Sequence, residues 1–437
     1  MTQFDFLEAI LLRVLLTIPP VSMLNPALHA IAIALPLLLL GLSLIALCYY
    51  SFAVYATQQF FAQPSPVDPA FHPPISILKP ICGLDSGAYE NLSSFCQQDY
   101  PDYQIIFGVQ SPDDSSLVVV QQLIRDFPKL DIRYVISQRA IGANLKVTNL
   151  AYAATEASHD ILLLADSDIR VGRDYLKRVV QPLKDSKVGV VTCMYRSQSR
   201  GWISAFEALA TTTEFLPSVL VARKLEGVAF ALGATIAIRK SVLDKIGGFA
   251  AIANYLEDDF LLGHLPAQAG YEVVISNYVV QHTIITESLP ALISHQTRWA
   301  RSNRFARPAG YAGLIFTYGT LSSLLFFLTT GASSLGWTVL LSVWSVRLLM
   351  AWVIAVKYLH DSVARRYLWL VPLRDLVSFV LWGYSFLGNT VEWRGRRFRL
   401  AKGGWLTELN PAGGSIPSVT LASLEEESAK KVGTGYL

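Results

Sequence analysis

Apolar runs divide this chain before any single residue is considered. Between 27 and 55 the sequence is almost wholly apolar and holds no Asp, Glu, Lys or Arg. About 20 such residues cross a bilayer, so a membrane span is predicted there, within an N-terminal membrane segment over 1–62. The run 4–18 is shorter, is interrupted by Glu8 and Arg13 and stops at Pro19-Pro20, which predicts an interfacial helix. Five prolines in 63–74 mark a linker. The period then changes. Strand-like runs at 75–81, 103–110, 132–136, 161–165 and 188–193 alternate with helical patterns at 89–98, 116–127 and 144–157. Such alternation predicts an α/β domain over 75–308, its sheet mostly parallel and covered by helices on both faces. Past 308 the chain turns apolar again, and 309–402 reads as a second membrane block. Its runs 309–331, without charge, and 335–356, with only Arg347, are predicted spans. The run 367–387 contains Arg374 and Asp375 and reads as a span, a re-entrant segment or an interfacial helix. The tail 403–437 is polar and rich in Gly and Ser, a composition that predicts disorder.

Composition agrees with this division: 52% of the 437 residues are hydrophobic, too many for an ordinary soluble chain. A net charge of +3 is too small to indicate a nucleic-acid partner. Position matters more. Arg298, Arg301, Arg304 and Arg307 directly precede the first C-terminal span, and Lys357, Arg365 and Arg366 follow the second. The positive-inside bias therefore predicts a multi-pass protein whose α/β domain faces the cytoplasm. Arg394, Arg396, Arg397, Arg399 and Lys402 favour the same side, which argues against a full crossing by 367–387. Cys48, Cys82, Cys96 and Cys193 lack metal-ligand spacing and read as reduced thiols.

The buried run 161–165 ends in Asp166-Ser167-Asp168. In open α/β sheets, ligands bind beyond the carboxyl ends of the strands. Two carboxylates one residue apart can share Mg2+ or Mn2+, with phosphate oxygens and water completing the shell. The same tripeptide alone reads more readily as a polar turn capping the next helix. Asp113-Asp114, after the run 103–110, is either N-cap chemistry or a carboxylate for the ribose or uracil of a nucleotide. Lys146 and Asn149 are either a helix surface or a cation and an amide reaching a nucleotide pocket. Glu257-Asp258-Asp259 opens a helical run at 260–269 and supplies either helix N-terminal charge or a general base. In His295-Gln296-Thr297-Arg298-Trp299, Arg298 can grip a diphosphate with Trp299 packed beside it, although Arg and Trp also populate membrane interfaces.

Taken in order, these groups before a C-terminal membrane block resemble the membrane-bound GT-A glycosyltransferases, and most closely the ceramide glucosyltransferase family. The likeness runs from 74 to 308. It includes Ile77-Leu78-Lys79-Pro80, Gly83-Leu84-Asp85, Gln97-Gln98-Asp99-Tyr100-Pro101 and Val109-Gln110, and resumes at Trp393-Arg394-Gly395-Arg396-Arg397-Phe398-Arg399-Leu400. The resemblance implies a GT-A fold: a Rossmann-like nucleotide-diphospho-sugar transferase domain with transmembrane helices on both sides. Asp114 matches the family's first aspartate, Lys146 and Asn149 its Lys-x-x-Asn, Asp166 the second aspartate and Asp258 the third. Arg298-Trp299 matches the end of its Arg-Trp motif. Three positions depart from the pattern. His295 stands where Gln or Arg is usual. Glu214-Phe215-Leu216-Pro217-Ser218 replaces a His-Pro found in animal members. Asp168 completes Asp-x-Asp where animal members have Gly. The implied reaction is inverting transfer of a hexose from a UDP-sugar to a lipid hydroxyl, ceramide or a hopanoid polyol, at the cytoplasmic membrane face. Asp258 is the expected base, Asp166 and Asp168 the expected Mg2+ or Mn2+ ligands, and Asp113, Asp114, Lys146, Asn149, Asp166, Arg298 and Trp299 the expected donor contacts. A processive polysaccharide synthase is disfavoured by the few C-terminal segments, and a non-catalytic membrane scaffold by the retained acids.

Overall fold

The structure, a computed structural model, describes residues 26–409 apart from 200, 285 and 287. The interfacial helix expected at 4–18 and most of the polar tail lie outside the described residues. The first element is helix α1 (Pro26–Phe61), 36 residues long and helical through Pro36. At 1.5 Å per residue it measures about 54 Å, well over a hydrocarbon core of about 30 Å.

The domain that follows then alternates as its apolar pattern predicts. In order come β1 (Ile75–Pro80), α2 (Ala88–Cys96), β2 (Tyr103–Val109), α3 (Leu117–Asp126), β3 (Asp131–Ile136), α4 (Leu145–Thr155) and β4 (Ile161–Leu164). Next follow β5 (Ile169–Arg170), α5 (Tyr175–Val179), β6 (Val188–Ser199), α6 (Trp202–Ala210), α7 (Leu216–Glu226), β7 (Ile236–Arg239), α8 (Lys240–Lys245), α9 (Asp258–Gln268) and β8 (Glu272–Ile284). They form one eight-stranded sheet of order β3-β2-β1-β4-β7-β6-β8-β5. Buried β1, β2 and β4 read as mostly apolar runs because both of their faces are covered. One core layer packs α2, α3 and α5 against the sheet, the other packs α4, α8 and α9.

The sheet is less parallel than the sequence predicts. β3, β2, β1 and β4 run parallel, and so do β6 and β8, but β7 is antiparallel to both β4 and β6, and β5 to β8. β7 has only four residues, and the apolar stretch around it carries no period of its own. Chain order switches between β1 and β4, so a crevice opens at their carboxyl ends, at Pro80-Ile81 and Asp166.

Beyond β8 come α10 (Leu289–Ala306), α11 (Pro308–Gly313), α12 (Gly319–Thr329), α13 (Ser334–Ala351), α14 (Ser362–Tyr367) and α15 (Val371–Ser385). Among the described residues, two helices are long and apolar enough to cross a membrane: Ala30–Phe61 within α1, and α13 with the π turn that extends it to Tyr358. The apolar run 309–331 is not one straight helix. It bends by 46° between Pro308–Thr317 and Gly319–Thr329. Tyr50 of α1 stabilises the break: its hydroxyl donates to the Thr317 carbonyl at 2.8 Å and accepts from the Gly319 N–H at 3.1 Å. Those are the backbone groups that a broken helix would otherwise leave unpaired in lipid. α15 has 15 residues, about 22 Å, shorter than the hydrocarbon core.

The last described elements form a three-stranded antiparallel sheet: β9 (Thr390–Trp393), β10 (Arg396–Leu400) and β11 (Leu406–Glu408). The tail expected to be disordered from 403 is therefore ordered through 409, because Leu406 is buried with Val391, Phe398 and Leu400.

Candidate active site

A cavity of about 850 Å³ opens at the carboxyl ends of β1, β2 and β4 and continues between the C-terminal helices. Lys146, Asn149, Asp166, Asp168, Asp258, Arg298 and Trp299 all line it. The helix that presents Lys146 begins at Asn144, whose side-chain oxygen caps α4 by accepting from the Val147 N–H at 3.1 Å. Its Nδ2 donates to the Tyr255 carbonyl at 2.8 Å and to Asp258 Oδ1 at 3.3 Å, so one residue ties the start of α4 to the start of α9. Lys146 Nζ stands 2.8 Å from Asp166 Oδ1 and 3.4 Å from Asp258 Oδ2, bridging acids 92 positions apart in the chain. Burial opposes its charge, but Asp166, Asp258 and Asp259 outweigh that and hold the ammonium above the ordinary lysine range.

Burial pushes the Asp166 carboxyl up against the pull of Lys146. Asp168 is half-buried, and the neighbouring His282 and Lys79 hold it below the usual range against the effect of burial. His282 Nε2 lies 3.1 Å from Asp168 Oδ2, whereas Asp168 Oδ1 is buried without a partner among the described residues. That bare carboxylate oxygen beside Asp166 is a donor set suited to a hard cation. No cluster of three or more His, Cys, Asp or Glu side chains able to hold a metal occurs among the described residues. A cation here would therefore draw its remaining ligands from a diphosphate and water. Asp259 is pushed up to about 8 by burial, Glu257 and Asp258, so it is mostly protonated at neutral pH and relieves repulsion among the three adjoining acids. Asp258 itself is 5% exposed at the first turn of α9.

Other expected residues hold the pocket's shape. Asn149 lines the cavity, but its Oδ1 accepts from Gln110 Nε2 at 2.8 Å and Ser137 Oγ at 2.9 Å, while its Nδ2 donates to the Ile81 carbonyl at 3.2 Å. It braces three strand ends together rather than offering a free amide. The sequence assigns Asp113 and Asp114 to nucleotide contact, but neither lines the cavity. Asp113 is exposed. Asp114 accepts from the Gly83 N–H at 3.0 Å, the Ser116 N–H at 2.9 Å and Ser116 Oγ at 2.6 Å. Its short side chain is used up in fixing the loop whose Cys82 forms part of the wall. Arg298 has no carboxylate within ion-pair distance among the described residues, leaving a guanidinium facing the cavity. His295 pairs through Nδ1 with the fully buried Glu207, and its ring lies 4.6 Å from that of Trp299. The departure at 295 thus positions Trp299.

Three contributors are given no site role by sequence reasoning. Lys79 is fully buried in β1, donates from Nζ to the Asp166 carbonyl at 2.6 Å and stands 3.7 Å over the Phe95 ring. Burial pulls it down to about 7. Its signals were a lysine inside a mostly apolar strand and its place in Ile77-Leu78-Lys79-Pro80. His282 sits in the second half of β8 without any. The third is the C-terminal sheet: Trp393, Arg394 and Arg396 line the cavity, and Arg394 Nη1 donates to the Cys82 carbonyl at 3.2 Å.

A mixed sheet with carboxylates at its strand ends, joined to apolar helices, defines the class: a membrane-associated glycosyltransferase of the GT-A fold. A mannosyltransferase from Pyrobaculum calidifontis, solved with GDP-Man and Mn2+, shares that fold at a TM-score of 0.51 and 19% identity, covering 82% of this chain and 99% of that one. The family model "Glycosyl transferase family 21" matches residues 38–406, and the chain belongs to that family. Ceramide glucosyltransferase 3 of Caenorhabditis elegans is 27% identical over 344 residues, 76% of this chain and 74% of that protein. Ceramide glucosyltransferase 1 of the same organism is 25% identical over 346 residues, 76% and 72%. The protein is accordingly a hexosyltransferase of glycolipid synthesis.

Proposed function

We propose that the protein transfers a hexose, with inversion, from a UDP-sugar to the hydroxyl of a membrane lipid at the cytoplasmic face. One observation carries this reading: the cavity that holds Lys146, Asp166, Asp168 and Asp258 also has walls from the membrane helices, including Tyr50, Met350 and Trp382. A water-insoluble acceptor can reach the acids without leaving the bilayer environment. In this reading Asp258 accepts the proton of the attacking hydroxyl on the ring face opposite the diphosphate, so a single displacement inverts the anomeric centre. Lys146 keeps Asp258 and Asp166 a fixed distance apart. Arg298 meets charge that builds on the departing diphosphate. Asp168 and Asp166 would hold a divalent cation, Mg2+ or Mn2+, which when bound adds positive charge at that diphosphate. Arg394, bonded to Cys82, supports a location of the C-terminal sheet on the catalytic side of the membrane, and with it an interfacial α15.

Asp258→Asn keeps the shape of the side chain and removes its basicity. Its expected result is loss of transfer by about 10²-fold or more with UDP binding retained, read by product formation and by calorimetry with UDP. Loss of both together would remove Asp258 from the role of base.

A further inference from the structure

The lysines and arginines on the cavity wall fall into two groups. Lys146 is held by Asp166 and Asp258. At the membrane end Arg347 pairs with Asp375 at 2.7 Å and Arg374 with Glu214 at 3.2 Å. Arg396 is spent on Glu408, its Nε donating to Oε1 at 2.7 Å. Among the described residues, only Arg298 and Arg394 line this cavity without a carboxylate at ion-pair distance. They are also near enough to feel each other. Burial pushes the Arg298 guanidinium below its ordinary value against the pull of Glu257 and Glu207, and the charge of Arg394 pushes it the same way. Two like charges facing one opening are unfavourable until an anion comes between them.

The backbone of Arg394 supplies a second observation. Trp393 pairs with Arg396 across β9 and β10, so Arg394 and Gly395 form a two-residue turn. Both have positive φ, 51° and 73°, a geometry that favours Asn or Gly and resists an arginine. A side chain kept at such a position on a cavity wall points to use of that side chain. Its one side-chain hydrogen bond among the described residues runs from Nη1 to the Cys82 carbonyl at 3.2 Å. That acceptor is neutral, and the remaining N–H groups of the guanidinium fork stay uncommitted. Cys82 follows β1, at the strand ends where Asp166 and Asp168 stand. The hairpin thus brings an unpaired cation to the acids from more than 200 positions further along the chain.

We infer that Arg394 is a second donor-binding cation, gripping the diphosphate of the nucleotide-sugar together with Arg298, so that the C-terminal hairpin takes part directly in donor binding. This rests on the sugar-nucleotide reading above. A planar guanidinium donates two parallel N–H bonds to a phosphate, and exchange of the Cys82 carbonyl for a charged oxygen strengthens the bond. When the bond between the anomeric carbon and the diphosphate oxygen breaks, its electron pair stays on that oxygen. The added negative charge then forms where both guanidiniums meet it.

Arg394→Asn tests this, because Asn tolerates positive φ and removes the cation without unmaking the turn. The full chain in nanodiscs is titrated with UDP by calorimetry in the presence of Mn2+, and uridine is measured by its competition with UDP. The expected result is a UDP affinity weakened about tenfold or more, with uridine affinity unchanged. Arg397→Ala, exposed on the same hairpin but off the cavity wall, changes neither. Arg394→Lys exchanges the fork for a point charge and gives an intermediate loss of UDP affinity alone. It decides the matter if the Asn variant does not fold. Equal weakening of UDP and uridine would mean that the hairpin only shapes the pocket, and overturns the assignment. Unchanged UDP affinity in both variants overturns it as well, with the donor reading left standing. Failure of the unsubstituted protein to bind UDP overturns the donor reading and Arg394 with it.

Discussion

At Gly233 the backbone passes between two acidic groups. A Cβ there would lie 2.9 Å from Asp259 Oδ2 and 3.6 Å from Asp166 Oδ2. The obstructing atoms are side-chain ends, which can swing away, so Gly233→Ala should fold normally while displacing carboxylates that must stay aligned. Transfer is expected to fall about tenfold or more, with the melting temperature nearly unchanged in detergent. Glu207 gives a residue-scale test by pH. It is fully buried, yet His295, Thr286 and Gln296 outweigh burial and hold its carboxyl below the usual 4.5. A depressed carboxylate stabilises the fold above its unfolded value and loses that contribution as pH falls through the folded one. Melting temperature should therefore drop below about pH 4.5, and Glu207→Gln should flatten that drop. An identical profile in the variant would show that the pair contributes nothing. That Asp166, Asp168 and Asp258 line one cavity was legible only through their order along the chain, because a carboxylate at a strand or helix end taken singly also serves as a turn or a cap. Asn149 and Asp114 read as donor contacts, whereas in the structure their hydrogen bonds go to the protein's own loops. Whether an amide faces a ligand or braces a loop depends on which backbone groups lie around it.

Elements follow the apolar period closely where both sheet faces are buried. β1, β2 and β4 begin at the predicted residues and end one early, since mostly apolar runs are stable only where both faces are removed from water. The reading weakens where an element's partner decides its conformation. β7 has no period of its own, and the run 309–331 bends because Tyr50, far away in sequence, offers hydrogen bonds to the broken turn. α9 shows how tightly an element must seat for its first residue to work. A Cβ at Gly263 would collide with the backbone of Phe230 and Ala231, which cannot yield as a side chain does. Gly263→Ala is expected to cost about 1–3 kcal/mol by overpacking and to shift Asp258 with the helix. Both a lower melting temperature and reduced transfer should be seen, in contrast to Gly233→Ala.

Across the whole molecule, distant parts of the chain complete one pocket. Leu406 N–H donates to the Asn254 carbonyl at 2.7 Å and Leu256 N–H to the Gly404 carbonyl at 3.1 Å, so the C-terminal sheet clasps the loop that leads into Asp258. Asn254 Oδ1 accepts in turn from the Ala143 N–H at 2.9 Å, beside the cap of α4. On α10, Arg301 donates to the Thr390 carbonyl and Arg304 to the Gly388 carbonyl at 2.6 Å. Arginines that read as membrane-interface charges thus also fasten this sheet. Truncation before Thr390 should leave the membrane helices inserted but weaken UDP binding by about tenfold or more. Calorimetry on the truncated protein checks this, and unchanged affinity would separate the sheet from the donor site.

Sequence alone determined the three-part layout, the strand and helix runs of the parallel half-sheet, and the acids at their ends. Each follows from local rules: apolar period reports burial, and charge beyond a buried run reports an exposed end. Only the tertiary structure decided that Lys146 spans Asp166 and Asp258, that Asp168 keeps a bare oxygen, and that Glu214 meets Arg374 at the lipid end of the cavity. Those relations join residues tens to hundreds of positions apart, and a pairing energy between two side chains leaves no periodic mark on either segment.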